Sequence, residues 1–275
     1  MYHRNKGVYV RPAIRQETHM IPIRTTAVYF SATGTNKKNV EAIAEVFDAD
    51  YKTIDLTRYD SAWEAHSFER DELVVIGAPV YSGRIYCGAA ERFHTLHGDQ
   101  TLCLITVTYG NRHYDDALLE LKDLMMKQGF HVIAGAAMIG EHTYGDIEKG
   151  RPNDQDLLET TRFAEKIRAR LASDQVSEPV IPGKHPYRDG GNGGGFRPLT
   201  DDTCNRCHIC EKECPQGAIH EDCVTIDGNR CIACFRCIRI CPVGAKNINT
   251  PEYLSFAGDF SKKLAARREN EYFFS

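Results

Sequence analysis

The sequence predicts an α/β protein: a doubly wound domain on a five-stranded parallel sheet, followed by a small α+β module. Three observations predict it. From Thr25 to Leu171 short apolar runs alternate with amphipathic stretches, the pattern of a parallel sheet covered by helices. Between Glu178 and Leu199 the alternation stops and prolines and glycines crowd together. Beyond them, eight of the chain's eleven cysteines repeat a single spacing twice.

In chain order, strands are expected at residues 26–30, 51–55, 73–76, 101–107 and 131–139. Helices lie between and after them. Val40, Ile43, Ala44 and Phe47 recur at helical spacing, as do Leu118, Leu121, Met125 and Gln128, and then Leu157, Ala164, Ile167 and Leu171. Residues 55–72, with the only tryptophan, Trp63, are weakly patterned. Five strands with helical crossovers in this length suit a compact doubly wound domain over residues 25–172. Ahead of it, residues 1–24 are basic (Arg4, Lys6, Arg11, Arg15 and Arg24 against Glu17) and lack the apolar core of a secretory signal, so they read as an unstructured extension.

Residues 173–199 read as a flexible linker, since proline prevents regular pairing and glycine supplies freedom. Gly193–Gly195 also suit a spacer lying against a cofactor, where side chains would intrude. Residues 200–250 form the cysteine module. Residues 251–275 read as a closing helix and tail, with Lys262, Lys263, Arg267 and Arg268 on a solvated face.

The cysteine spacing carries the most specific chemistry. Cys204, Cys207, Cys210 and Cys214 precede Pro215, and Cys231, Cys234, Cys237 and Cys241 precede Pro242. Each set reads C-x2-C-x2-C-x3-C-P, the run that wraps a 4Fe–4S cubane. Three thiolates on a tight loop take three irons; the fourth, beside its proline, serves the other cluster. Cluster one is therefore assigned to Cys204, Cys207, Cys210 and Cys241, and cluster two to Cys231, Cys234, Cys237 and Cys214. Zinc more often takes two separated cysteine pairs. Disulfides need an oxidising compartment, to which nothing here points. Val224 and Ile226 before Asp227-Gly228 suggest a hairpin between the halves. Cys223 there reads as structural, His208 as a spectator of the first loop, and Cys87 and Cys103 as core or helix residues.

A second site follows the first strand. Ser31, Thr33, Gly34, Thr35 and Asn36 combine hydroxyls, a glycine and a helix N-terminus, which together bind an anion without lysine. Neither a dinucleotide fingerprint nor a Gly-Lys-Ser/Thr loop is present, so a terminal monophosphate fits best. After the third strand come Pro79, Val80, Tyr81, Ser82, Gly83 and Arg84, and after the fourth Thr108, Tyr109, Gly110 and Asn111. Both loops leave the carboxyl edge, where such folds open their ligand crevice. Each offers a tyrosine to stack on a flat ring, and Arg84 would stabilise an anionic reduced ring. Glu141-His142-Thr143-Tyr144, after the fifth strand, read more readily as an edge loop facing the second domain, with His142 and Tyr144 as the candidate proton donors and His113 and Tyr114 open to the same two readings.

Taken together, residues 25–172 resemble a flavodoxin, with its phosphate loop at 31–36 and ring-flanking loops at 79–84 and 108–111. Residues 200–250 resemble a bacterial two-cluster ferredoxin, and the order resembles the bacterial flavodoxin–ferredoxin fusion proteins, mostly from anaerobes. The resemblance implies non-covalently held FMN and electron transfer. Tyr81 and Tyr109 stand where many flavodoxins carry a tryptophan.

A net charge of −4 supplies no basic field for nucleic acid. No apolar run approaches the roughly 20 residues of a membrane helix. Cysteines without a signal segment point to a reducing cytoplasm. Two functions remain open: a conduit passing electrons between two 4Fe–4S clusters and FMN, to or from redox partner proteins; or an FMN-dependent reductase of a small-molecule acceptor. No nicotinamide fingerprint is present.

Overall fold

The computed structural model describes residues 22, 24–60 and 63–275, so the expected N-terminal extension lies almost wholly outside the described residues. In chain order these form β1 (Arg24–Tyr29), α1 (Thr35–Phe47), β2 (Lys52–Asp55), β3 (His66–Phe68), β4 (Glu72–Tyr81), β5 (Arg84–Ile85), α2 (Cys87–Phe93), β6 (Leu96–Gly98), β7 (Thr101–Tyr109), α3 (Ala117–Lys127), β8 (Phe130–Ile139) and α4 (Asp154–Ala172). After the Pro/Gly stretch come β9 (Leu199–Thr200), α5 (Ile209–Lys212), α6 (Arg236–Ile240), β10 (Lys246–Asn247), α7 (Pro251–Lys263) and β11 (Glu271–Phe273).

Five parallel strands pair in the order β2-β1-β4-β7-β8. The winding reverses between β1 and β4, so the crevice opens at their carboxyl ends. Alternation explains why these strands are apolar on both faces. Val28, Val74, Ile76 and Ile105 pack with Phe93 of α2 and Leu118 and Leu121 of α3. Ala27, Leu73, Val75 and Leu104 pack with Val40 and Ile43 of α1 and Phe163 and Ile167 of α4. Each fully buried Val or Ile contributes about 1.5–3 kcal/mol. Helix α4 starts on a reciprocal cap between Asn153 and Asp156, which satisfies two orphan N–H groups.

Several expectations are corrected. Strand β4 runs on to Tyr81, and residues 79–84 are a strand end turning into β5 rather than an open loop. Ser82 and Gly83 form its two-residue turn at φ 53° and 84°, the positive pair that a tight hairpin requires. The residues 173–199 segment is clamped, not free. Asp116 accepts the N–H groups of Lys184 and Arg188, Asp123 accepts from Tyr187, and Ile181 enters the core. The tail is not a separate end either: β11 pairs antiparallel with β8 and extends the sheet. Asn111 fixes it by donating to the carbonyls of Leu264 and Ala266, both at 2.8 Å. Lys262 and Lys263 are solvated, but Arg267 pairs with Glu269 and Arg268 donates to the Arg112 carbonyl.

In the cysteine module, Ile219 bridges Ile226 and the Asp222 carboxylate accepts the N–H groups of Val224 and Thr225. The turn therefore closes over residues 220–225, before the expected Asp227-Gly228. Two arginines hold the module to the sheet domain. Arg92 of α2 donates to Leu56 O, Thr57 O and Pro215 O. Arg236 donates to Ala32 O at 2.9 Å and pairs with Glu213.

Candidate functional site

At the carboxyl edge of the sheet, two joined cavities form one cleft. The narrower end is bordered by Ser31, Ala32, Thr33, Thr35 and Asn36, with Pro79, Thr108 and Gly140. It has the donor set for an anion. Gly34 precedes α1 at φ 83°, a left-handed position that favours glycine, and turns the chain so that the first N–H groups of α1 face outward. The Ser31 hydroxyl accepts from Lys37 N at 2.9 Å, which leaves its own hydrogen free to donate into the cleft. Asn36 and Thr108 have another task. Asn36 donates to Phe30 O at 3.0 Å and accepts from Thr108 Oγ1 at 3.0 Å, while Asn39 donates to the same hydroxyl at 3.1 Å. This buried network ties the first turn of α1 to β7 and sets the loop's shape.

The wider end, about 240 Å³, is bordered by Val80, Tyr81, Ser82 and Gly83 on one side and by Gly110, His142 and Tyr144 on another. Gly193 and Gly194 of the clamped segment and Ile232 and Ala233 of the second cysteine loop also border it. A Cβ on Gly194 would lie 1.8 Å from the Tyr144 hydroxyl, and one on Gly193 would meet the Ile232 backbone at 2.6 Å. Only bare backbone fits there, so the glycine run is a wall and not merely a spacer. The Gly191 N–H donates to Tyr81 O at 2.8 Å and the Gly194 N–H to Ile232 O at 3.1 Å, stitching the wall to both domains. Phe256 and Phe260 of α7 close the remaining side.

The expected ring-flanking groups divide. Tyr81 and Tyr109 both border the cleft; Tyr81 keeps a partly open face, whereas Tyr109 is 3% exposed and packs edge-on against Tyr114. Arg84 turns away from the cleft: it forms a two-pronged bond with Glu120 at 2.7 and 2.6 Å and covers the Tyr187 ring. It cannot neutralise charge in the cleft. Asn111 is likewise committed to the C-terminal segment.

His142 and Tyr144 both border the cleft. Burial pulls His142 down to about 4, only partly opposed by its backbone hydrogen bonding with Tyr144. Its Nδ1 lies 2.8 Å from Tyr144 N and 3.1 Å from Tyr144 O, so the Tyr144 backbone fixes the ring's orientation. Burial, followed by the nearby Cys234 thiol, pushes the Tyr144 phenol well up. Its ring packs with Phe196, Phe235 and Phe256, bracing α7 against the cysteine module.

Cysteines from the two repeats cross. One cavity is bordered by Cys204, Cys207, Cys210 and Cys241, and another by Cys214, Cys231, Cys234 and Cys237. Four thiols from two loops are a donor set that fits a cubane cluster. Among the described residues, no three His, Cys, Asp or Glu side chains converge to hold a single metal ion. Burial pushes the Cys234 and Cys237 thiols up to about 12 and Cys210 to about 11. Cys241 is held below its ordinary value because backbone N–H groups of residues 243–246 outweigh burial. Cys207 of the first cavity is exposed, and Ile232 borders both the second cavity and the cleft. Cys223 and His208 border the first cavity, and Cys103 lies in the core.

Sequence reasoning missed Arg92, Arg236, Ile232, Ala233 and the α7 phenylalanines, which enter only through chain reversal. The Gly193–Gly195 run was the legible signal for the wall.

Comparison with known proteins agrees with this division. The flavodoxin domain family matches residues 27–136, and the 4Fe-4S binding domain family matches residues 199–220. An uncharacterized ferredoxin-like protein, YdhY of Escherichia coli, is 41% identical over 69 residues, which cover 22% of this chain and 33% of that one. The pyruvate synthase subunit PorD of Methanocaldococcus jannaschii is 38% identical over 68 residues, 23% of this chain and 79% of that one. Among solved structures, a flavodoxin from the domain Archaea superposes at TM-score 0.37 and 16% identity, covering 55% of this chain and 99% of that one. The chain thus spans about a third of the length of the E. coli relative. The matches place a flavodoxin domain ahead of a 4Fe-4S binding domain, so one polypeptide joins the two.

Among the described residues, no helix is long and apolar enough to cross a membrane.

Proposed function

We propose that this chain is a conduit between a partner redox protein and FMN, with two 4Fe–4S clusters in series. The observation that carries the reading is the shared wall. Ile232 and Ala233, between two thiols of the inner cysteine cavity, border the same space as Tyr81 and Gly110 of the flavodoxin half. When bound, the flavin takes one or two electrons and each cluster one, and the protein sets their spacing and potential.

Ser31, Thr33, Thr35 and the first N–H groups of α1 hold the phosphate. Tyr81 and the Gly193–Gly194 wall flank the ring. Cys204, Cys207, Cys210 and Cys241 hold the outer cluster, beside the exposed Cys207, where a partner docks. Cys214, Cys231, Cys234 and Cys237 hold the inner one. A reducing cytoplasm suits such a protein.

The test is anaerobic and uses the full chain. Reconstituted protein should contain about eight irons, about eight sulfides and one FMN. Cys241→Ala should remove the signal of the outer cluster, and Cys231→Ser that of the inner one. After rapid mixing with reduced ferredoxin, flavin reduction should be first order and independent of protein concentration at saturating donor. Equal flavin reduction in Cys231→Ser, with the inner cluster absent, would refute the conduit.

A further inference from the structure

The cysteine repeat contains one break in its symmetry. Five residues after its fourth cysteine, each half puts a side chain into a cavity wall: Ile219 after Cys214, and Lys246 after Cys241. The surrounding backbone repeats. Ala218 N–H donates to Cys214 Sγ at 3.3 Å, and the N–H groups of residues 243–246 hold Cys241 in the same way. Ile219 is 6% exposed and packs among cysteines, as an apolar residue should.

Lys246 occupies the matching place with an ammonium, and it is 2% exposed. Its Nζ donates to Thr200 Oγ1 at 2.6 Å, a neutral acceptor. Among the described residues no carboxylate stands within ion-pairing distance of it. The inner cavity differs: Arg236 borders it, but Arg236 already pairs with Glu213. Burying a cation against a neutral hydroxyl is costly unless a counter-charge is supplied. The positive charge also bears on the Cys210 and Cys237 thiols, one from each loop.

We propose that Lys246 is the buried counter-charge of the outer cluster and raises its reduction potential. The inference rests on the two-cluster reading above. A cubane on four thiolates is negative and gains one more negative charge when it takes an electron from the donor. A fixed ammonium in its wall therefore stabilises the reduced form more than the oxidised form. Lys246 borders the outer cavity and reaches the inner set only at Cys237, while Ile219 brings that set no charge, so the inner potential should respond less. Electrons arriving from a partner are thereby held at the exposed end and released inward only as the flavin draws them.

The test compares the full chain with Lys246→Ile, Lys246→Gln and Lys246→Arg. Iron and sulfide are counted first, and both cluster potentials are then read by anaerobic redox titration followed by electron paramagnetic resonance. Fewer than about eight irons in the reconstituted parent chain would refute the two-cluster reading itself. With full clusters, each neutral variant should shift the outer cluster's redox equilibrium at least tenfold toward the oxidised form, which is 59 mV for one electron. The Arg variant should stay near the parent. Neutral variants that keep the parent potential would overturn the proposal. Should they fail to hold the outer cluster, Arg decides: retention of cluster and potential supports the charge, and loss shows a purely steric requirement and overturns it.

Discussion

Arg92→Met removes a guanidinium that joins the flavodoxin half to the cysteine loop. Arg92 is 1% exposed and donates to Leu56 O at 2.7 Å, Thr57 O at 2.8 Å and Pro215 O, the residue directly after Cys214. Its charge lies over the rings of Phe30 and Trp63. Methionine fills similar volume but donates nothing, so three carbonyls lose a donor. At about 1 kcal/mol for each orphaned acceptor the loss is about 3 kcal/mol. Burial works against the cation, lowering its pKa, so the net cost is smaller than that sum. A net cost of about 2 kcal/mol is about 30-fold in a local opening equilibrium. Hydrogen exchange on the anaerobic, cluster-loaded protein reads it directly. The Gly217 amide, bonded to Cys214 O at 3.1 Å, should exchange about 30-fold faster, as should Leu56, bonded to Tyr29 O at 2.9 Å. Flavin reduction through the clusters should slow in step. Unchanged protection at Gly217 with an unchanged transfer rate would refute the latch.

Other perturbations address the cleft. Gly194→Ala puts a methyl where the Tyr144 hydroxyl stands 1.8 Å from the ideal Cβ; it should weaken FMN binding at least tenfold, about 1.4 kcal/mol, with iron content unchanged. Fluorescence titration of flavin-stripped protein checks this, and parent-like affinity would move the ring away from the wall. The neutral His142, whose folded value near 4 lies below the ordinary imidazole value of 6.5, favours the folded state fully above pH 6.5. That advantage is lost as pH falls from 6.5 to about 4, by at most about 3 kcal/mol, because the unfolded chain then binds the proton first. Thermal melts should show this acid slope in the parent and lack it in His142→Phe.

Much of the molecule was written locally. A 2.0-residue or 3.6-residue apolar period depends only on near neighbours, so the five parallel strands and the helices over 35–47, 117–127 and 154–172 were legible. So was the cysteine spacing, since each loop wraps by its own backbone. The anion loop at 31–36 was readable because strand, glycine and helix follow one another in the chain. Other features required distant parts to meet. Arg84 looked available until Glu120, from another helix, took its guanidinium. Tyr144 read as an edge-loop residue, but only the fold packs its ring against Phe196, Phe235 and Phe256. The proline- and glycine-rich stretch looked free until Asp116 and Asp123 held it. The C-terminal residues became the sheet's sixth principal strand only because β8 presented an open edge. Sequence periodicity records which face of an element is apolar. It does not record the electrostatic partner that a side chain meets across the fold, and in this protein that partner decides which polar groups remain available to the cleft.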